Sequence, residues 1–205
     1  MILFELARSE AHPAYEEMAI ANGDRHYDFL RSIVLAATAT KKPFLSHYLI
    51  QALNFHAIVC LHTSAGQYRP CKVVVGTYEP PDFYRVHDLM DDFINTSNVM
   101  LGAEAQDPVA LAAYVLWRLN LIHPFINGNG RTARASSYYV LCIAAGGWLP
   151  GAPILPELLT QNREEYVAAL RHADSSVATG TLDLVPLHSL LGRLLQQQLS
   201  STSPA

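Results

Sequence analysis

Twelve consecutive residues, His123-Pro124-Phe125-Ile126-Asn127-Gly128-Asn129-Gly130-Arg131-Thr132-Ala133-Arg134, set one imidazole beside a turn with two glycines and then place two arginines three apart. Such a turn can aim successive backbone N–H groups at one point, and a helix that starts there adds the positive end of its dipole, so the segment suits a phosphate. In a helical register Arg131 and Arg134 share a face, where two guanidiniums can grip further phosphate oxygens in bidentate fashion. His123 is the candidate general base, because an imidazole that titrates near neutrality can take a proton from an attacking hydroxyl. Gly128 and Gly130 would let the backbone approach phosphates closely, and Asn129 would add a side-chain amide donor to a non-bridging oxygen. Phe125 and Ile126, an apolar pair beside a polar turn, are read as pins that hold the loop to the core. Together these types and spacings support polyphosphate binding with a base alongside.

The elements that must position this segment read mostly as helices. Apolar residues recur at three- and four-residue spacing over 13–22 and 25–37, with Asn22-Gly23-Asp24 as the break. From Phe44 to Val59 the apolar positions nearly encircle a helix, which predicts a central one. Tyr68 to Tyr78 changes character: Val73, Val74 and Val75 precede Gly76-Thr77, and Pro80-Pro81 ends any regular structure, so a short β-hairpin is expected. Asp107-Pro108 has the form of an N-cap followed by a first-turn proline, opening a helix over 109–120 that delivers the motif. A second helix is expected over 132–145, stopped by Gly146-Gly147. The stretch from 182 to 199 is amphipathic, and the polar residues 200–203 after it are expected to fray. No internal repeat or low-complexity linker interrupts the chain.

Composition fits one enzyme-sized domain: 205 residues with 50% hydrophobic content can fill a single core. The net charge of −4, with no lysine–arginine block, argues against nucleic acid as a partner. Three cysteines, Cys60, Cys71 and Cys142, include no CxxC pair, so neither a disulfide framework nor a zinc site is indicated, and a reducing cytoplasm fits. Neither a signal-peptide pattern nor a long uncharged apolar run appears, which disfavours a membrane, although export by other routes leaves no such trace.

The dodecapeptide resembles the signature of the Fic family, HPFx(D/E)GNGRxxR, and departs from it at Asn127 alone. Two further stretches carry the resemblance: Ala65-Gly66-Gln67-Tyr68-Arg69 with Val73-Val74-Val75-Gly76 looks like the approach to the family's substrate-clamping flap, and Asn162-Arg163-Glu164-Glu165-Tyr166 with Ala169-Leu170 is similar to the helix that closes its nucleotide pocket. The resemblance implies a mainly α Fic fold with a β-hairpin flap over the cleft: an N-terminal helical extension over 1–43, a Fic domain over 44–199 and a polar tail over 200–205. It implies transfer of AMP from ATP, with magnesium or manganese, to a Ser, Thr or Tyr hydroxyl of a target protein. His123 would be the base, and Gly128, Asn129, Gly130, Arg131 and Arg134 would hold the phosphates. Tyr166 would flank the base of the nucleotide or simply pack, and Val167 falls where some relatives carry a second tyrosine. Val73, Val74, Val75, Gly76 and Thr77 would position the target.

Asn127 occupies the position whose carboxylate ligates magnesium in AMP-transferring relatives. An amide oxygen can coordinate magnesium but brings no charge, so the departure threatens turnover more than binding, and Asn127→Asp is expected to raise metal-dependent transfer. A nucleotide- or protein-binding module with impaired catalysis, and an enzyme that uses another phosphate-containing donor, are therefore the alternatives. The inhibitory pattern (S/T)xxxE(G/N) of many relatives is absent, because no glutamate here precedes Gly or Asn. Either a separate inhibitory or antitoxin partner supplies that helix, or restraint works differently, or the site needs none. His47, His56 and His62 lack metalloprotease spacing, no GxxxxGK(S/T) sequence occurs, and His87-Asp88 with Asp91-Asp92 reads as a solvated helix face. Arg69 is expected in a structural salt bridge.

Overall fold

The computed structural model describes residues 2–103 and 107–201; Glu104 and most of the polar tail lie outside them. Nine helices follow in these residues: α1 (Leu3–Ala7), α2 (Pro13–Thr40), α3 (His47–Ile58), α4 (Val86–Leu101), α5 (Pro108–Ile122), α6 (Asn129–Ala144), α7 (Leu155–Gln161), α8 (Arg163–Ala178) and α9 (Val185–Ser200). A single 3₁₀ turn, Phe83–Arg85, leads into α4.

α5 is the axis of the fold, and eight of its residues, Leu111 to Ile122, are buried. It starts where its sequence dictates: Asp107 accepts from the N–H groups of Val109 (2.8 Å) and Ala110 (3.3 Å), and Pro108 occupies the first turn without an N–H to satisfy. α6 packs against it through small residues, with Ala112, Ala113, Ala133 and Ser137 all buried, and the Ser137 hydroxyl donates to the Ala112 carbonyl at 2.9 Å. Gly146 ends α6 with φ +77°, and the N–H of Gly147 returns to the Cys142 carbonyl (2.9 Å), a glycine-dependent helix stop. Around this pair, α2 and α3 pack on one side, α4 on another, and α7 to α9 on a third. No helix among the described residues is long and apolar enough to cross a membrane.

Three expectations need correction. The break at Asn22-Gly23-Asp24 does not exist; α2 runs unbroken for 28 residues. Gly23 costs the helix only about 1 kcal/mol, whereas Asn22 is fully buried and donates to the Val59 carbonyl at 2.8 Å, and His26 one turn later bonds the Leu53 carbonyl at 2.9 Å. Packing on α3 thus overrides the local signal. α3 in turn is a flanking helix, since Tyr48 is 85% exposed and Phe55 45% exposed. Finally, the hairpin over 68–78 is not a ladder: among the described residues there are only two isolated bridges, Tyr68–Phe125 and Val75–Tyr78. Gly76, at φ +61°, turns the chain so tightly that Val75 and Tyr78 exchange both backbone bonds at 3.0 Å, and the prolines that follow leave no donors to extend them.

His26 is 3% exposed and desolvation pushes it down to about 4; burial also lowers His56, His62 and His123. A depressed base binds protons more readily in the unfolded chain. Stability is therefore full above the unfolded value near 6.5 and is lost as the pH falls toward the folded values. His26 alone removes about 2 kcal/mol by pH 5. Thermal unfolding at pH 7 and pH 5 should show a clearly lower midpoint at pH 5, and His26→Asn should shrink the difference; equal midpoints for the natural protein would contradict this account.

Candidate active site

The motif is the connection between α5 and α6. His123 ends α5 in a left-handed conformation (φ 51°, ψ 59°), with its N–H returning to the Leu119 carbonyl at 3.0 Å. Phe125 is fully buried, as expected, and its ring meets that of Tyr68 at 5.4 Å. Gly128 caps α6 with φ +77°, where a Cβ would stand 2.7 Å from Ile58 Cγ2 and 2.9 Å from Asn54 Nδ2, so both conformation and space require glycine. With glycine as N-cap, no side chain occupies the first N–H groups of α6, and this 16-residue helix presents its positive end openly.

Asn129 turns its side chain back onto the loop. It is 4% exposed, its Oδ1 accepts from the Phe125 N–H and its Nδ2 donates to the Phe125 carbonyl, both at 2.9 Å. Its amide mimics a backbone partner and closes the turn on itself. Behind the turn, Asn54 makes a second staple, donating to the Asn127 carbonyl (2.9 Å) and Thr132 Oγ1 (3.3 Å) while accepting from the Gly66 N–H (3.0 Å). Arg69 makes a third. It is 2% exposed, and in place of the expected salt bridge it donates to the carbonyls of His123 (2.8 Å), Cys71 (3.2 Å) and Pro81.

A cavity of about 480 Å³ opens between α5, α8 and residues 75–78. The motif supplies His123, Gly130 and Arg134 to its wall; Val75, Gly76 and Thr77 of the expected flap line it too, whereas Val73 and Val74 do not. Tyr166 lines it with 5% exposure, its hydroxyl accepting from Asn120 Nδ2 at 2.9 Å, and the Arg134 charge lies close enough to oppose the upward push of burial on that hydroxyl. Arg134 and Arg163 give this end positive charge, and the buried Nε of Arg134 has no partner, which leaves an anion-seeking donor unsatisfied. A more open hollow of about 700 Å³ beside Tyr27 and Glu157 contains none of the motif.

His123 is not poised at neutrality. Burial, with a smaller contribution from the positive charge of Arg69, pushes it down to about 4, against the opposing pull of a hydrogen bond to the Asn120 backbone. With its folded value so far below neutrality the ring is uncharged at pH 7, and a neutral imidazole keeps a lone pair on one nitrogen.

The two arginines part company. Arg131 turns to the back of the loop, where it donates to the Ala57 carbonyl (2.7 Å) and to Asn127 Oδ1 (3.1 Å) beside Tyr15 and Glu10. Asn127 faces the same way: its Nδ2 donates to Glu10 Oε1 at 3.2 Å, and Glu10 also meets His62, whose Nε2 bonds the Tyr15 hydroxyl at 2.7 Å. Asn127 therefore does not offer its oxygen to a metal, because a guanidinium already occupies it. Among the described residues no three His, Cys, Asp or Glu side chains converge as a metal site. The protein groups at position 127 do not fit a held magnesium.

Reading residue types missed Asn54, Glu10 and Tyr15, for which no local signal exists, weighed His62 only as a metal ligand and Arg69 mainly as a salt-bridge partner, and missed Trp117 and Asn120, which the three-residue spacing toward His123 on one helix could have revealed.

The uncapped N-terminus of α6, the His123 imidazole and Arg134 thus face one cleft between α5 and α8, on a helical scaffold of the Fic kind. Residues 44–141 match the family model described as Fic/DOC family, and the chain belongs to that family. It is similar to the protein adenylyltransferase fic-1 of Caenorhabditis briggsae, with 38% identity over 114 residues, 54% of this chain and 20% of that protein. It thus spans about a fifth of the length of the curated relatives it matches. Among solved structures, a Fic-domain-containing signaling protein from Bacteroides thetaiotaomicron superposes with a TM-score of 0.67 at 26% identity, covering 88% of this chain and 71% of that one. Fic-1 from C. elegans (residues 134–508) gives the same TM-score at 24% identity over 89% and 50% of the two chains, which shows the shared fold.

If Asn129 is a clamp, Asn129→Ala strands the Phe125 N–H in the interior and should cost about 1–3 kcal/mol of stability. Thermal unfolding checks this directly; an unchanged midpoint would restore Asn129 to a role in ligand binding alone.

Proposed function

We propose that the protein transfers a nucleoside monophosphate from a nucleoside triphosphate to a Ser, Thr or Tyr hydroxyl of another protein. The observation that carries this reading is that His123, Arg134 and Gly130 at the uncapped N-terminus of α6 line one cavity. The target hydroxyl attacks the α-phosphorus as the free nitrogen of His123 takes its proton; the new O–P bond forms as the bond to the β-phosphate oxygen breaks, and pyrophosphate leaves. The α6 N-terminus and Gly130 stabilise charge on the transferring group, and Arg134 holds the outer phosphates in line. Divalent metal would enter with the triphosphate, and none of these roles requires one held by Asn127. The names of the relatives make AMP from ATP the first transfer to test, by incubating the protein with lysate and labelled nucleotide.

Asn127 favours a second reading, a module that binds nucleotide without turnover. Label retained by the protein with none transferred would support it.

His123→Ala should lower turnover by about two to four orders of magnitude and leave nucleotide affinity nearly unchanged. In the natural protein kcat/KM should stay level from pH 8 to pH 5 and fall only as the pH nears 4, because the base is lost on protonation. A fall centred near 6.5, or full activity in the variant, would remove His123 from this role.

The backbone at Val73 and Val74 makes no hydrogen bond among the described residues, and Val74 is 58% exposed. This edge, beside a cavity wall built by Val75 to Thr77, suits an extended target segment that pairs through its backbone. Val74→Pro removes one donor and should depress protein modification far more than nucleotide binding; equal modification by both proteins would assign the target to another surface.

A further inference from the structure

The transfer chemistry uses only one end of the cavity. α5 lines it with Trp117, Asn120 and His123, and α8 with Arg163, Tyr166 and Asp174, so the space extends well beyond the phosphate-binding end. At about 1.5 Å per residue, Trp117 lies about 9 Å along α5 from His123. That is comparable with the span from the α-phosphate of a nucleotide to the outer edge of its base.

Asp174 stands at this far end. Its Oδ1 accepts from Trp117 Nε1 at 2.9 Å, which fixes the carboxylate, while Oδ2 has no partner and no cation pairs with the group among the described residues. Arg171 lines the same wall without bonding to it. Burial raises the carboxyl above its ordinary value. A half-buried carboxylate without a counter-cation is costly unless something else donates to it. The Tyr78 hydroxyl cannot, because it already donates to the Leu121 carbonyl at 2.6 Å.

We propose that Asp174 reads the base of the donor nucleotide and selects guanine over adenine. The inference rests on the nucleotidyl-transfer reading and refines its donor. An ionised carboxylate only accepts hydrogen bonds. The outer edge of guanine shows a ring N–H beside an amino group, two adjacent donors that match two carboxylate oxygens. Adenine shows an amino group beside a ring nitrogen whose lone pair would face an oxygen; cytosine has the same mismatch, and uracil offers a single N–H between two carbonyls. A bidentate pair of this kind discriminates by roughly tenfold to a hundredfold.

The test is calorimetry on the whole chain with non-hydrolysable triphosphate analogues of guanosine, adenosine and xanthosine, and with inorganic tripolyphosphate, for the natural protein and Asp174→Asn. The natural protein should bind the guanosine analogue at least tenfold tighter than the adenosine analogue. Asp174→Asn presents one acceptor and one donor, which suits the N–H and carbonyl of xanthine, so it should lose the guanosine preference, gain affinity for the xanthosine analogue and bind tripolyphosphate as before. An adenosine preference in the natural protein, or a ranking that Asp174→Asn leaves unmoved, overturns the assignment. Absence of binding by any triphosphate, tripolyphosphate included, would instead overturn the functional reading beneath it.

Discussion

A helix hairpin whose turn is left open to a cleft cannot fill that turn with its own side chains, yet its buried backbone groups still need partners. Here Asn129 resolves the conflict by returning its amide to both polar groups of Phe125, so the chain closes behind the turn and stays open in front. Much else depends on this closure. Phe125 can enter the core only because its N–H and C=O are satisfied, and α6 can begin at Asn129 without a capping side chain. Gly128 is forced into its left-handed conformation against Ile58 and Asn54, and Arg69 bonds the carbonyl of His123 that the end of α5 leaves free.

The same closure explains how two arginines on one helix face take different tasks. Arg134 lies one turn inside α6 and reaches the cavity beside Tyr166, whereas Arg131 passes behind the loop to α3 and the N-terminal segment. Asn127 suits that rear position better than an acid would. Its amide donates to Glu10 and accepts from Arg131 at once, while a carboxylate could only accept and would oppose Glu10. Residues 10–15, distant in sequence, thus hold the back of the motif, through the contacts of Glu10 and Tyr15 with His62.

The parts of this arrangement that sequence made legible are those written in local chemistry. Asp107-Pro108 marked the start of α5, Gly146-Gly147 the end of α6, and the glycines of the motif its open turn. Phe125 was legible as a pin because apolar residues beside polar turns seek the core. Contacts made across the fold left no such trace. Asn54 and Arg69 reach motif carbonyls, those of Asn127 and His123, more than 50 positions away, and no spacing encodes those bonds. Asn22 looked like a break because asparagine beside glycine favours turns, but its buried bond to Val59 holds α2 straight through that point. Arg131 and Asn127 looked like ligands of phosphate and metal because their types permit it, while the direction each side chain takes follows from distant partners, the Ala57 carbonyl for Arg131 and Glu10 for Asn127.

The central claim is that the open end of α6 and Arg134, and not Arg131, receive the phosphates. Calorimetry of inorganic tripolyphosphate binding to the natural protein, Arg134→Ala and Arg131→Ala, each verified as folded by circular dichroism, separates the two arginines. The account predicts a loss of affinity of at least about tenfold for Arg134→Ala, the scale of one charge-assisted contact, and a change within about threefold for Arg131→Ala. Equal affinity in the natural protein and Arg134→Ala, or a loss confined to Arg131→Ala, would contradict it.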